Sequence, residues 1–89
     1  MVVRSVGVVE RVRVEDLLWL ASAGNYVELH MAERRVLHRS TMAQLEKRLP
    51  TDVFMRVHRT AIVRRSAISV VTVEGDGQYA VTLSNGARV

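Results

Sequence analysis

Residues 54–68 are the stretch of this sequence best suited to binding chemistry, because charged and apolar side chains are mixed within it. The stretch holds four arginines and one histidine among the apolar residues Phe54, Val57, Ile62, Val63 and Ile68. A segment made only for a core carries little charge, and a segment made only for solvent carries few large apolar side chains. The mixture predicts two short strands that present a basic loop outward. Guanidinium groups on such a loop are suited to binding a polyanion.

The charge distribution along the chain supports this interpretation. The 89 residues carry a formal net charge of +4, but residues 34–65 alone hold nine arginines and lysines against two carboxylates. Segregation of this kind predicts a basic face, which is the electrostatic footprint of nucleic-acid binding. The alternative is an ordinary solvated surface on which the charges mix once the chain folds.

Composition restricts the class of protein. With 48% apolar and 25% charged residues, the chain is typical of one globular domain, which we place over residues 1–89. The sequence contains no cysteine, so it offers no disulfide framework, thiolate metal site or cysteine nucleophile. No apolar run approaches the 18 residues typical of a membrane span, and the N-terminus lacks the apolar core of a signal peptide. We therefore expect a cytoplasmic protein that does not associate with membranes.

The elements that must position the basic loop are mostly short strands. Residues 2–3 and 6–14 alternate as half-buried strands do, with a break at Gly7. Residues 18–31 predict a hairpin with Gly24 and Asn25 at its tip, because both residues tolerate positive φ. Further strands are predicted at residues 35–39, 68–74, 78–83 and 87–89, with tight turns at residues 75–77 and 84–86. The fold class is therefore mostly β, with short antiparallel strands in small packed sheets.

One short central helix interrupts this β pattern. Thr41 is a good N-cap residue, and Gln44 three positions later completes a capping box. Met42, Leu45 and Leu49 then form a single apolar stripe, which a helix this short must pack against the strands. Pro50 ends the helix. We also expect the large aromatic side chains of Trp19 and Phe54 to anchor the core.

Three stretches of the chain together resemble the LytTR-type DNA-binding domain of bacterial response regulators. Residues 16–27 resemble the family's strand-turn-strand with Gly-Asn-Tyr, residues 39–46 resemble its central helix, and residues 54–63 resemble its Arg-Val-His-Arg-Ser/Thr motif. The resemblance implies a β-rich fold that lies along double-stranded DNA and places loops in successive major grooves. It implies a non-enzymatic module without cofactor or metal, acting as a homodimer or as two copies on repeated half-sites.

The resemblance also locates the residues expected to read bases. Residues 24–26 match the family's first contacting loop, and residues 58–60 match the second, with Arg59 in the base-reading position. An arginine can bind O6 and N7 of guanine with two hydrogen bonds. Asn25 can bind adenine in a similar way, although the needs of the turn explain an asparagine there equally well.

A second group of residues is expected to contact the DNA backbone or to hold the loops in place: Arg56, His58, Thr60, Tyr26, Arg39 and Arg35. For Arg56 the competing interpretation is a cross-strand ion pair, and for His58 it is a hydrogen bond to the protein backbone. Tyr26 fits a partly buried position better than a DNA contact. Arg35 and Arg39 fit a solvated charged surface almost as well as a phosphate contact.

Two departures from the family pattern stand out. The family commonly has asparagine after Ile-Val, where this chain has Arg64, and this places the local loop geometry in question. The family's third DNA contact lies in a Ser-Arg segment beyond the last strand, and this chain ends at Val89, before that segment. We therefore expect a domain truncated at its C-terminus and without the receiver or sensor domain that normally precedes it.

Other classes of function are weaker interpretations of the same residues. His30, His38 and His58 with Glu28 could supply metal ligands, but they lack the close spacing of a metal-binding motif. No glycine-rich phosphate loop, serine nucleophile signature or carboxylate pair is present. The remaining alternative is a β-rich module that binds RNA or another protein through its basic face.

Overall fold

The computed structural model describes residues 1–75, 77 and 79–89. Asp76, in the predicted turn at residues 75–77, and Gln78, at the predicted start of the following strand, lie outside the described residues. The described part measures 42 × 22 × 22 Å along its principal axes. Its elements in chain order are β1 (Val2–Ser5), β2 (Val8–Arg11), a 3-10 turn (Val14–Asp16), β3 (Trp19–Ala23), β4 (Tyr26–His30), β5 (Arg35–His38), α1 (Met42–Arg48), β6 (Phe54–His58), β7 (Ala61–Arg64), a 3-10 turn (Arg65–Ala67), β8 (Ile68–Val73) and β9 (Tyr79–Leu83).

A five-stranded antiparallel sheet forms the centre of the fold, with strand order β5-β4-β3-β7-β6. The predicted hairpin at residues 18–31 is confirmed as β3 and β4, and its turn holds Gly24 at a φ of +63°, which other residues adopt only with strain. The predicted strand pair around the basic loop is confirmed as β6 and β7. Its register shifts between Arg56 and His58, so β6 carries a bulge just before the loop.

The central sheet is covered on both faces. Directly opposed residues of an antiparallel pair share a face, so the register places Leu20, Leu29 and Ile62 on one side. They belong to a core cluster with the helix and with Val3 of the N-terminal hairpin. Val63, which points to the other side, belongs to a second cluster with residues of β9 and the chain end. The predicted mostly β fold of small packed sheets is confirmed.

The predicted helix is present and is held as its sequence indicates. The Thr41 side chain accepts a hydrogen bond from the Gln44 backbone N–H at 3.1 Å, and the Gln44 side chain accepts from the Thr41 N–H at 3.4 Å. Met42, Leu45 and Leu49 are all buried in the first core cluster. Seven residues make only two turns of helix, so this packing must supply most of its stability.

Three expectations about packing and strands need correction. Residues 6–14 do not form one strand: β2 ends at Arg11, and Val12 is buried beyond it, where its N–H donates to the Met1 carbonyl at 2.8 Å. The predicted strand at residues 87–89 is reduced to a single bridge from Thr82 to Arg88. Trp19 packs against the second core cluster but is only half-buried, and its ring stacks on His30 with ring centroids 3.7 Å apart.

His38 joins the N-terminal hairpin to the edge of the central sheet. Its side chain is 6% exposed, and its Nδ1 accepts a hydrogen bond from the Arg4 backbone N–H at 3.0 Å. The Arg4 carbonyl in turn accepts from the Arg39 N–H at 2.8 Å. Burial lowers the pKa of His38 below its ordinary value of 6.5. The folded domain therefore resists protonation of this imidazole.

This burial predicts acid sensitivity. Below about pH 6.5 the unfolded chain binds a proton at His38 that the folded chain resists, so the free energy of unfolding should fall as the pH is lowered. A His38→Asn variant keeps a side-chain acceptor but does not titrate, and should lose less stability over the same range. Urea unfolding of both proteins at pH 7.5 and 5.5 measures the difference. Equal losses in both would show that His38 is not the group responsible.

Candidate nucleic-acid interface

Three segments that carry predicted site residues meet at one end of the central sheet. The β3–β4 turn holds Asn25 and the β6–β7 turn holds Arg59, and antiparallel pairing of β3 with β7 brings both turns to the same end. The Ser22 N–H donates to the Thr60 carbonyl at 3.0 Å and ties the two turns together. Because β5 pairs antiparallel with β4, Arg39 also follows its strand at this end.

These segments enclose a groove of about 520 Å³, here called the turn groove. It joins both turns to the start of the helix, and four of the eight predicted site residues line it. Its lining residues are Ser22, Gly24, Asn25, Tyr26, Val27, Arg39, Ser40, Thr41, Met42, Gln44 and Arg59. The side chains of Asn25, Arg39 and Arg59 are exposed, and Tyr26 is half-buried. The groove therefore presents two guanidinium groups and an amide to solvent.

The other predicted site residues are placed differently. His58 and Thr60 flank Arg59 in the second loop, with His58 half-buried and Thr60 exposed. Arg35 lies at the opposite end of β5, where its Nη1 is 3.3 Å from the Glu28 carboxylate. Arg35 and Arg39 were both predicted to contact the DNA backbone. Strand β5 separates them, however, so they lie at opposite ends of the sheet.

The Arg56 side chain forms hydrogen bonds with the backbone of the second loop. Its Nη2 donates to the Arg59 carbonyl at 2.6 Å, and its Nε donates to the His58 carbonyl at 3.3 Å. Its Nη1 also lies 3.5 Å from the Glu46 carboxylate of the helix. One guanidinium thus holds two successive carbonyls of the loop and links the loop to α1.

This geometry predicts that Arg56 positions the loop. Removing the guanidinium in Arg56→Met should weaken the loop against local opening by about 1–2 kcal/mol, since hydrogen bonds from a charged donor are lost. Amide hydrogen exchange at residues 58–60 measures this opening. The control is Glu46→Gln, which removes only an exposed ion-pair partner and should change exchange little. Equal exchange rates in wild type and Arg56→Met would contradict the assignment.

Ion pairing divides the arginines into two groups. Among the residues that the structure describes, the arginines that pair with carboxylates are Arg13, Arg34, Arg35, Arg56 and Arg88. Arg39 and Arg59 form no ion pair with any described residue, although both are exposed. Positive charge in the turn groove is therefore available to an anionic ligand, whereas the five paired arginines are neutralised in place.

A family model described as the LytTr DNA-binding domain matches residues 8–89. This chain belongs to the LytTR family of DNA-binding domains. A relative, the sensory transduction protein LytT of Bacillus anthracis, is 27% identical over 78 residues, which make up 88% of this chain and 32% of the relative. The LytTR domain described here thus spans about a third of the length of that relative.

A solved structure shows the same fold. It is the LytTr DNA-binding domain of a Bacillus cereus protein described as a methyl-accepting/DNA response regulator. The match covers all of this chain and 82% of that one, with a TM-score of 0.86 and 21% sequence identity. The predicted resemblance of this chain to LytTR domains is confirmed.

The departure from the LytTR pattern at Arg64 is accommodated by the fold. The Arg64 Nε donates to the Leu17 carbonyl at 2.7 Å, and its Nη2 donates to the Val14 carbonyl at 2.6 Å. The guanidinium carbon also lies 4.8 Å from the centre of the Phe54 ring. The side chain therefore fastens the 3-10 turn at residues 14–16 to the central sheet. Sequence reasoning missed this role because the two carbonyls lie 47 and 50 positions away in the chain.

The residues considered for metal binding have other partners in this LytTR domain. His30 stacks on Trp19 and lies 3.0 Å from the Glu28 carboxylate, while His38 accepts its bond from Arg4. Over the described ranges, no three histidine, aspartate or glutamate side chains come together as metal ligands would. Within the same ranges, no helix is both long and apolar enough to cross a membrane.

Proposed function

We propose that this LytTR domain binds double-stranded DNA in a sequence-specific manner, as the output domain of a cytoplasmic bacterial transcriptional regulator. The observation that carries the proposal is the turn groove. It combines two arginines that form no ion pair with a described residue, Arg39 and Arg59, with the exposed amide of Asn25. Asn25 and Arg59 lie on two turns that are joined by a hydrogen bond. Phosphate contacts need the positive charge, and base reading needs groups that can form directed hydrogen bonds.

Base reading is assigned to the two turn tips. Arg59 carries five N–H donors in a fixed planar arrangement, and its carbonyl is held by Arg56, so its backbone is fixed while its side chain is exposed. We assign it to guanine, through O6 and N7. Asn25 follows Gly24 at the tip of the neighbouring turn, and its amide can both donate to and accept from adenine.

Backbone contacts are assigned to the residues around these tips. Arg39 lies beside the first turn at the end of β5, and His58 and Thr60 flank Arg59. Tyr26 lines the turn groove but is half-buried, which suits a residue that supports the turn. Arg35 falls outside the proposed interface, because it lies at the far end of the sheet and is paired with Glu28.

The spacing of the turns bears on how the DNA is engaged. The two turns are centred about two strand spacings apart, or roughly 10 Å, in the central sheet. Successive major grooves on one side of a duplex lie about 34 Å apart. We therefore propose that the two turns of one domain contact the same turn of the double helix, which replaces our expectation that they enter successive major grooves. Repeated half-sites would then be read by two copies of the domain.

The proposal is tested by selecting bound sequences from a library of random DNA duplexes. A sequence-specific domain enriches a short motif within a few rounds, and the motif should contain a guanine whose replacement lowers affinity. A library that stays random after selection, in low and in moderate salt, would contradict the proposal.

A single-strand or RNA-binding module is the weaker candidate. Such proteins stack successive bases on several aromatic side chains along an exposed face. The turn groove contains one aromatic residue, Tyr26, and that side chain is half-buried. Competition with single-stranded DNA and with RNA in the same binding assay separates the two candidates.

A further inference from the structure

A second basic groove lies beside the turn groove and is here called the helix groove. It encloses about 530 Å³ between the N-terminal hairpin, the end of β5 and the helix. The two grooves share Arg39, Ser40 and Gln44, so they form one continuous depression across this end of the molecule. Of the eight predicted site residues, only the shared Arg39 lines the helix groove.

The helix groove is strongly cationic. Arg4, Arg39, Lys47 and Arg48 line it, and none of its lining residues that the structure describes is a carboxylate. All four side chains are exposed, and none forms an ion pair with a residue that the structure describes. Burial lowers the pKa of the fifth ionisable lining residue, His38, and so disfavours its charged form. A concave surface with four unneutralised cations attracts an anionic ligand and raises its local concentration.

Different elements position the residues that carry these cations. Both backbone polar groups of Arg4 are bonded across to the sheet edge, one to His38 and one to Arg39. Lys47 and Arg48 occupy the last turn of α1, outside the stripe that packs Met42, Leu45 and Leu49 into the core. Packing of the helix therefore exposes both side chains, and the anchored hairpin brings Arg4 to face them.

We propose that the helix groove binds the phosphate backbone of the same duplex, beyond the base pairs contacted in the turn groove. This inference rests on the proposed function, because the two grooves share Arg39 and a duplex bound in the turn groove would extend along the helix groove. A helix of seven residues is about 10 Å long, and B-DNA rises 3.4 Å per residue of each strand. Because each strand winds around the axis, its neighbouring phosphates are farther apart than this rise, and the helix groove can follow about two of them. The turns proposed to read bases lie outside the helix groove. The groove should therefore contribute to the affinity for DNA and to the register of binding, without sequence preference.

The test compares a Lys47→Gln/Arg48→Gln variant with an Arg34→Gln/Arg35→Gln variant. Both lose two charges, but the control changes arginines that are already paired with carboxylates, Arg35 at the far end of the sheet. Affinity for the selected duplex is measured from 0.05 to 0.3 M salt. For the helix variant, the slope of log affinity against log salt should become shallower by about 1.8, or about 0.9 per lost phosphate contact. Affinity near 0.15 M salt should fall on the order of tenfold, and the control should change far less.

Duplex length supplies an independent readout. Removing the base pairs that flank the selected motif on one side should lower wild-type affinity to that of the helix variant, and should leave the variant unchanged. An Arg4→Gln substitution, on a different element, should reproduce about half of the change in salt slope. Thermal melting confirms that each variant is folded.

The outcomes distinguish this inference from the proposed function. If wild type selects a motif but the helix variant keeps its salt slope, the helix groove does not contact DNA and the inference is overturned, while the proposed function stands. If wild type selects no motif, the proposed function itself fails. If the helix variant selects a different motif, the groove reads sequence, and the assignment to phosphate alone is overturned.

Discussion

Replacing Arg59 by alanine is expected to lower affinity for the selected duplex by about 5- to 150-fold, because a two-bond contact between arginine and guanine contributes about 1–3 kcal/mol to discrimination. Arg59 is the exposed tip of a loop whose carbonyls are held by Arg56, so its loss should leave the loop in place. The diagnostic feature is loss of preference at one base position of the motif, with preference at the other positions kept. Quantitative binding to a set of single-base variants of the motif measures this.

The matched control for Arg59 is Arg34→Ala. This substitution also removes one exposed arginine, but Arg34 pairs with Glu10 and lies in the connection between β4 and β5, away from the turn groove. It should leave the preferred motif unchanged and affect affinity only slightly. If Arg59→Ala weakens binding to all duplexes equally, Arg59 contacts phosphate rather than a base.

Replacing Arg64 by alanine is expected to cause a large loss of stability. The substitution removes two hydrogen bonds that the Arg64 guanidinium donates. The carbonyls of Val14 and Leu17, in a partly buried site, then lose this charged donor. Bonds of this kind contribute about 1.5–3 kcal/mol each, and partial exposure reduces the sum, so we expect a loss of about 2–4 kcal/mol. In a domain of this size that lowers Tm by about 10 °C or more.

Arg65→Ala is the control for Arg64. Arg65 is the next residue along the chain, but it is exposed, and its Nε makes a single bond to the Thr51 carbonyl at 3.1 Å. Its replacement should cost about 1 kcal/mol or less. A second variant, Arg64→Asn, restores the residue common in the family and should recover part of the lost stability only if the asparagine reaches the same carbonyls. Equal stability of Arg64→Ala and wild type would show that the two bonds are not needed.

Local sequence signals predicted the elements of this fold well. The capping box of Thr41 and Gln44, the apolar stripe of the helix and the turn at Gly24 each depend on residues within a few positions of one another. Such signals act before any tertiary contact forms, so they can be recognised in the sequence alone. The expectation that the two turns read bases came from the resemblance to LytTR domains.

Roles that depend on distant partners could not be predicted. Arg64 and His38 act through backbone groups more than 30 positions away, and neither partner is specified by side-chain type. The aromatic residues show the same limit. Trp19 and Phe54 were both expected to anchor the core, but only Phe54 is buried, whereas Trp19 is half-buried. An aromatic ring is buried only if another element of the fold packs over it, and the packing of the whole chain decides this.

The central claim is that the end of the sheet carrying the two turns is the DNA interface. Backbone amide chemical shifts recorded while the selected duplex is added to the domain test it most directly. The account predicts that the largest changes fall on residues 24–26, 39–41 and 58–60, with smaller changes at residues 47–48. Shifts confined to the opposite end of the sheet, around Trp19, His30 and Arg35, with the two turns unchanged, would contradict it.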